Sequence, residues 1–183
     1  MVYFENKDIT WLNIHHAFFM FAYEVAWVFG PLYLYSLGIP VFKVFLIYAG
    51  MLFCRLPVRC FIMPLIFQKG LAFVNKIALI GMMLSFILLA FVEQYSFLLW
   101  IYIPFYACVS SWYWLTFHTL YAKIGEAENR GRHVSVRVIL TLAVGFLGPI
   151  VNGVLIHYVG FWASFLFLFH PARWFYILKT KFT

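Results

Sequence analysis

The sequence predicts an all-α membrane protein: a single domain spanning residues 1–183 with six transmembrane helices and both termini cytoplasmic. Three observations predict it. The first is composition. Of 183 residues, 66% are hydrophobic and 10% charged, with a mean hydropathy of +0.93. Soluble domains run at about 45–50% apolar and about 25% charged. Surface shrinks too slowly with size for a soluble domain of this length to hide the excess. The second is the presence of apolar runs about 20 residues long, the length of a membrane span. They lack the period-two alternation of a membrane β-barrel. Backbone groups in lipid must be satisfied within the segment, so such runs are helices. The third is the placement of Lys and Arg, taken up below.

Turn residues and charges divide the chain into helices expected at 11–36, 42–67, 75–93, 97–120, 135–157 and 160–178. The breaks are Gly38-Ile39-Pro40, Gln68-Lys69-Gly70, Glu93-Gln94-Tyr95-Ser96, the polar stretch from Lys123 to His133, and Tyr158-Val159-Gly160. Glu5, Lys7 and Asp8 precede a first apolar run too long for a cleavable signal, and no small-x-small site follows it.

With the N-terminus inside, the inner segments hold Lys7, Lys69, Lys76, Lys123, Arg130, Arg132, Arg137, Arg173, Lys179 and Lys181, ten in all, and the outer loops hold Lys43 alone. That bias fits the excess of cationic residues in cytoplasmic loops. It also accounts for the net charge of +7, which therefore implies no nucleic-acid partner. The expected location is the cell (plasma or inner) membrane, with lipids as the immediate partners.

The helices differ in polarity. The third, Ile77 to Val92, is interrupted only by Gly81 and Ser85, and the sixth continues from Ser164 as Phe and Leu, so both are expected to face lipid all round. The first, second, fourth and fifth carry polar or small residues at depth and are expected to face protein or a water-filled cavity.

Glu24 lies mid-way along the first helix, with Arg55 and Arg59 a turn apart in the second. Counted from the shared outer loop, Glu24 and Arg55 lie about twelve and about fourteen residues down, depths that agree within about 3 Å. Each charge alone costs about 2.5–3.5 kcal/mol at a helix centre, so an ion pair between Glu24 and an arginine is expected. It serves either as a structural clamp or as a solute- or proton-binding element; Arg59 can instead snorkel to the inner interface.

The first helix carries a stripe of Asn13, His16, Met20, Tyr23, Glu24 and Trp27. The fourth carries Tyr106, Ser110, Tyr113, Phe117 and Tyr121, and beside them Ser111, Trp114 and His118. Two polar-aromatic stripes on separate helices suggest a shared cavity wall. The candidate solute-binding set is therefore Tyr23, Glu24, Trp27, Arg55, Arg59, Ser110, Tyr113, Trp114 and His118. His118 is either a proton-handling group or a neutral hydrogen-bonded one; His15 and His16 are placed at the inner interface and His133 in the polar loop.

No catalytic residue, metal ligand or cofactor is assigned. The chain has no Gly-x-Ser-Gly stretch, no His-x-x-His-His or His-Glu-x-x-His cluster, no Asn-Pro-Ala pair and no Thr-Val-Gly-Tyr-Gly filter. Cys54, Cys60 and Cys108 lie in apolar runs without metal-type spacing and are read as small packing residues.

The most specific passage runs from Gly145 to Gly153. Gly145, Gly148 and Gly153 allow close helix approach, and Pro149 bends the helix and frees a carbonyl. Here the chain resembles the N-terminal half of a major facilitator superfamily transporter. The passage is similar to that family's Gly-x-x-x-Gly-Pro-x-x-Gly-Gly pattern, with Asn152 replacing one glycine. Gly30 to Gly38 resembles the family's exit from its first helix, and Arg130-Gly131-Arg132 followed by Ser135 its basic loop before the fifth. The loop Phe67-Gln68-Lys69-Gly70-Leu71 keeps only the glycine of the family's Asp-Arg-x-Gly-Arg core, and the fourth helix lacks the arginine of many proton-coupled members.

The resemblance implies a secondary transporter, or its N-terminal half, moving a small solute by alternating access. The family has about twelve helices against six here, so a second six-helix half or a homodimer is expected as partner. The alternative is a non-transporting membrane scaffold or degenerate transporter remnant.

Overall fold

A computed structural model describes residues 7–125 and 128–167. Their regular structure is all helical, with no strand among them. The order is α1 (Lys7–Ser36), α2 (Val41–Lys69), α3 (Leu71–Ala90), a single 3-10 turn (Phe91–Glu93), α4 (Leu98–Ile124) and α5 (Arg130–Phe167). Four segments, Val41–Lys69, Leu71–Glu93, Leu98–Ile124 and Arg130–Phe161, are long and apolar enough to cross a membrane.

Two helix ends and one kink fall where glycine takes a conformation other residues avoid: the ends of α1 and α2, and a break within α5. Gly38, Gly70 and Gly160 have φ of 83°, 83° and 85°. Charge does not end them. Lys, Arg and Glu are good helix formers, so α4 runs on to Ile124 and α5 begins at Arg130, shortening the expected polar loop, and α1 starts at Lys7. Tyr158 and Val159 remain helical; the break comes only at Gly160 (φ 85°, ψ 171°), inside α5. Most of the expected sixth helix, 160–178, lies outside the described residues.

Pro31, Pro57, Pro64, Pro104 and Pro149 all lie within helices. Membrane helices tolerate them because neighbouring groups take up the freed carbonyls.

Short connections reverse the chain at each turn, and contacts far apart in sequence define the two ends of the bundle. At one end Gly125 lies against Ile9, and Thr116 Oγ1 donates to Asn75 Oδ1 at 2.9 Å. At the other, the Tyr33 hydroxyl donates to the Ala90 carbonyl at 3.1 Å, and Phe161 packs on Tyr33 with ring centroids 5.1 Å apart. The most extensive packing is α3 on α4, α1 on α5 and α2 on α4.

The expectation for the third helix needs correction. α3 is a core helix: Val74, Ala78, Met82, Phe86 and Leu89 are buried, with Asn75 and Ser85 beside them. Hydropathy cannot separate a protein-facing from a lipid-facing helix when both surroundings are apolar. The deciding signal is small residues that let two backbones approach. Ala78, Gly81 and Ser85 form that strip, and a methyl on Gly81 would overlap the Val109 side chain of α4. Conversely, α2 and α5 expose long apolar faces, including Phe45, Phe53 and Phe61 on one and Leu142, Phe146 and Ile150 on the other.

Gly81→Val is therefore expected to destabilise the α3–α4 pair by about 1–3 kcal/mol through overpacking. Thermal unfolding in detergent checks it: a clear drop for Gly81→Val and little change for Gly145→Val, whose neighbourhood is open.

Candidate functional site

Six polar or aromatic side chains and Leu115 surround a cavity of about 480 Å³ between three helices. Tyr23 comes from α1, Arg55 and Arg59 from α2, and Ser111, Trp114, Leu115 and His118 from α4. Steps of three and four residues put Ser111, Trp114, Leu115 and His118 on one helical face, and a step of four stacks Arg55 over Arg59. His118 lies near the end of α4 that carries Lys123, so the cavity extends from the bundle middle towards the end rich in Lys and Arg.

The wall formed by α1 and α4 is built from rings. The Phe19 ring stacks on Tyr113 with centroids 3.6 Å apart, and the His16 ring on Phe117 at 4.2 Å. Trp114 stands edge-on to this stack, 6.0 Å from Tyr23 and 5.6 Å from His16, and stacks on His118 at 5.6 Å. One face of Trp114 thus belongs to the core and the other to the cavity. Edge-to-face and offset arrangements are those the ring quadrupole favours.

Arg55 is the most unusual member. Its guanidinium carbon lies 5.8 Å from the Trp27 ring centroid and 5.9 Å from that of Tyr106, the outer range of cation–π attraction. Its Nε and Nη2 atoms are buried without a hydrogen-bond partner.

The residues singled out from sequence separate into three groups. Tyr23, Arg55, Arg59, Trp114 and His118 border the cavity together, with Trp27 behind Arg55. Ser110 and Tyr113 face the core: the Ser110 hydroxyl donates to the Ala107 carbonyl at 3.2 Å, and Tyr113 is fully buried. Only one of the two stripes on α4 therefore faces the cavity. A helix buried on two sides carries aromatic residues on both, and spacing does not say which side is hollow.

Glu24 forms the third group. It makes no ion pair with Arg55 or Arg59. Its Cβ faces α5, 3.7 Å from where a Cβ on Gly148 would sit. Depth along the bundle agrees with the expected pair, but rotation about the helix axis does not: α1 packs mainly on α5, which turns Glu24 away from α2.

In the glycine passage of α5, Gly148 alone approaches another helix, meeting Glu24 and Phe21, while Gly145 and Gly153 have open space around them. The Asn152 amide donates to the Gly148 carbonyl at 2.9 Å. Pro149 is half-buried.

Two residues outside the candidate set matter. Ser111 lines the cavity. His16 is buried, and its Nδ1 lies 3.2 Å from the Tyr113 hydroxyl. Its stripe with Asn13 and Met20 is visible in sequence, but its partner, on α4, is not. His133 is also buried, within α5 rather than in a loop. Among the described residues no group of three or more His, Cys, Asp or Glu could hold a metal. A second cleft, about 650 Å³ between the starts of α2 and α4, is lined mostly by apolar residues such as Leu46, Ile47, Leu99 and Ile103. No protein-family model matches the chain, and no curated protein does.

Tyr113→Phe is expected to cost about 1–3 kcal/mol by leaving the His16 ring nitrogen unmatched in the core, read by thermal unfolding. In a double-mutant cycle, Glu24 and Arg55 are expected to couple by less than about 0.5 kcal/mol. A larger coupling would restore the ion pair.

Proposed function

We propose that this chain is a multi-pass cell-membrane protein acting as a secondary transporter, or as one half of one, that moves a small solute by alternating access. The observation that carries the reading is the polar cavity bordered by Tyr23, Arg55, Arg59, Ser111, Trp114 and His118 inside an apolar helical bundle. Ionisable groups within a membrane bundle are costly and are retained where they line a solute or proton path. Six spans with both termini inside fit the charge partition: Lys69, Lys123, Arg130, Arg132 and Arg137 gather towards one end of the bundle and Lys43 lies at the other.

Helix pairing supports the resemblance to a major facilitator half. α1 packs on α5 and α4 on α2. These pairings interchange when the first three helices are exchanged with the next three, as two related three-helix units require. The apolar faces of α2 and α5 supply surface for a second half or a second copy. They also favour the other reading, a scaffold or remnant that binds membrane partners through the same faces without transporting.

Reporter fusions near Gly125 and at Thr183 are expected to lie in the cytoplasm, and one near Gln94 outside. A reversed result at any of them breaks the proposed topology. In a cysteine-free background, a cysteine replacing Phe146 is expected to crosslink to another copy, or to a co-expressed half, in native membranes. Purified protein in liposomes is expected to take up solute. A protein that neither crosslinks nor supports uptake supports the remnant.

A further inference from the structure

We propose that the cavity between α1, α2 and α4 binds an oxyanion, a carboxylate or phosphate group, with Arg55 and Arg59 as its charge-recognition pair. This deepens the transporter reading and rests on it only for the role of binding in transport. Binding itself is a property of the cavity.

The charge balance of the lining is one-sided. Arg55 and Arg59 sit one above the other on the same face of α2, and Ser111, His118, Trp114 and Tyr23 complete the polar wall. Among the described residues no carboxylate borders the cavity. Glu24, the nearest in sequence, has its Cβ against Gly148 of α5. Arginines in proteins remain protonated, so the cavity carries two positive charges with no fixed counter-charge lining it.

Geometry narrows the ligand further. Nε and Nη2 form the side-on edge of a guanidinium, whose two N–H groups lie parallel and match the two oxygens of a carboxylate or phosphate. In Arg55 these two atoms have no acceptor. Trp27 and Tyr106 approach the same guanidinium only with ring faces, which attract a cation but accept no strong hydrogen bond. Arg55 borders the cavity, so an acceptor entering there lies beside this unmatched edge. Arg59, exposed and a turn away, supplies a second cation within reach of the same group. Ser111 and His118 provide further polar contacts, and the Trp114 and Tyr23 rings form flat walls beside them.

A soluble anion and the headgroup of an anionic lipid share this chemistry, and the test separates them. Full-length protein is placed in phosphatidylcholine nanodiscs, and tryptophan fluorescence is titrated with acetate, succinate and inorganic phosphate. Glucose, choline and sodium chloride at matched ionic strength are the comparisons. A saturable change with at least one oxyanion and none with the comparisons is expected. Arg55→Gln and Arg59→Gln are each expected to weaken binding at least tenfold, with Arg55→Lys recovering part of it. Loss of the soluble-anion signal when phosphatidylglycerol replaces part of the lipid assigns the site to a lipid phosphate and keeps the oxyanion chemistry.

No response to any oxyanion and no competition by phosphatidylglycerol overturns the proposal. So does an equal response to glucose or choline, or unchanged affinity in folded Arg55→Gln protein. If Arg55→Gln does not fold, Arg59→Gln decides, because its exposed side chain is not part of the core. Uptake into liposomes separates the two readings. Oxyanion binding without uptake keeps the site and removes the transporter; uptake of a neutral solute without oxyanion binding removes the site and keeps the transporter.

Discussion

The ring stack between α1 and α4 is the contact on which the site depends. These two helices make few close backbone approaches; side chains bridge them instead, with Phe19 against Tyr113 and His16 against Phe117. Large planar side chains hold two helices apart at a fixed spacing and leave a hollow where they end. Trp114 stands at that edge and turns its other face to the cavity. A polar link through the stack, His16 to Tyr113, restrains rotation of one helix against the other, because a hydrogen bond is directional where ring contact is not. Core and cavity are two sides of one wall.

The second constraint is the cost of polarity in an apolar interior. Several small polar side chains in this bundle are satisfied locally. Ser85 and Ser110 donate to carbonyls one turn back, and Asn152 does the same. Such bonds hide a hydroxyl or amide within its own helix. A guanidinium has too many donors for that device. Arg55 is held by ring faces instead and retains unmatched N–H groups at the border of the cavity.

The helical class and the membrane-crossing apolarity of four segments were legible in the sequence because they follow from composition and run length. The breaks at Gly38, Gly70 and Gly160 and the one after Glu93 were legible too, whereas the polar stretch from Lys123 to His133 is shorter as a loop than its charges suggest, because α4 runs to Ile124 and α5 begins at Arg130. Burial was the weakest inference. α3 looks like a lipid-facing helix by hydropathy and is a core helix because of Gly81 and its small neighbours. At the site, residues separated by one turn on one helix, such as Arg55 with Arg59 or Trp114 with His118, were grouped correctly by periodicity alone. Pairing between helices was legible in part: Tyr23, Trp114 and His118 border one cavity with the two arginines, and Glu24 does not. Depth along the bundle is a one-dimensional measure, and Glu24 with Arg55 shows its limit, since agreement in depth says nothing of rotation about the axis.

The joint at Gly70 has a mechanical consequence. One residue, with φ 83° and ψ 155°, separates α2 from α3, in a region of backbone space open essentially to glycine alone. Such a link has almost no slack, so α2 cannot slide or tilt far without carrying the start of α3 with it. α3 is in turn seated on α4 by the fit of Val109 over Gly81. The arginine-bearing wall and the His118-bearing wall are therefore coupled as one block, with α1 and α5 as the other. Freedom to widen or narrow the cavity lies in the seam between these blocks, where the rings of α1 meet those of α4.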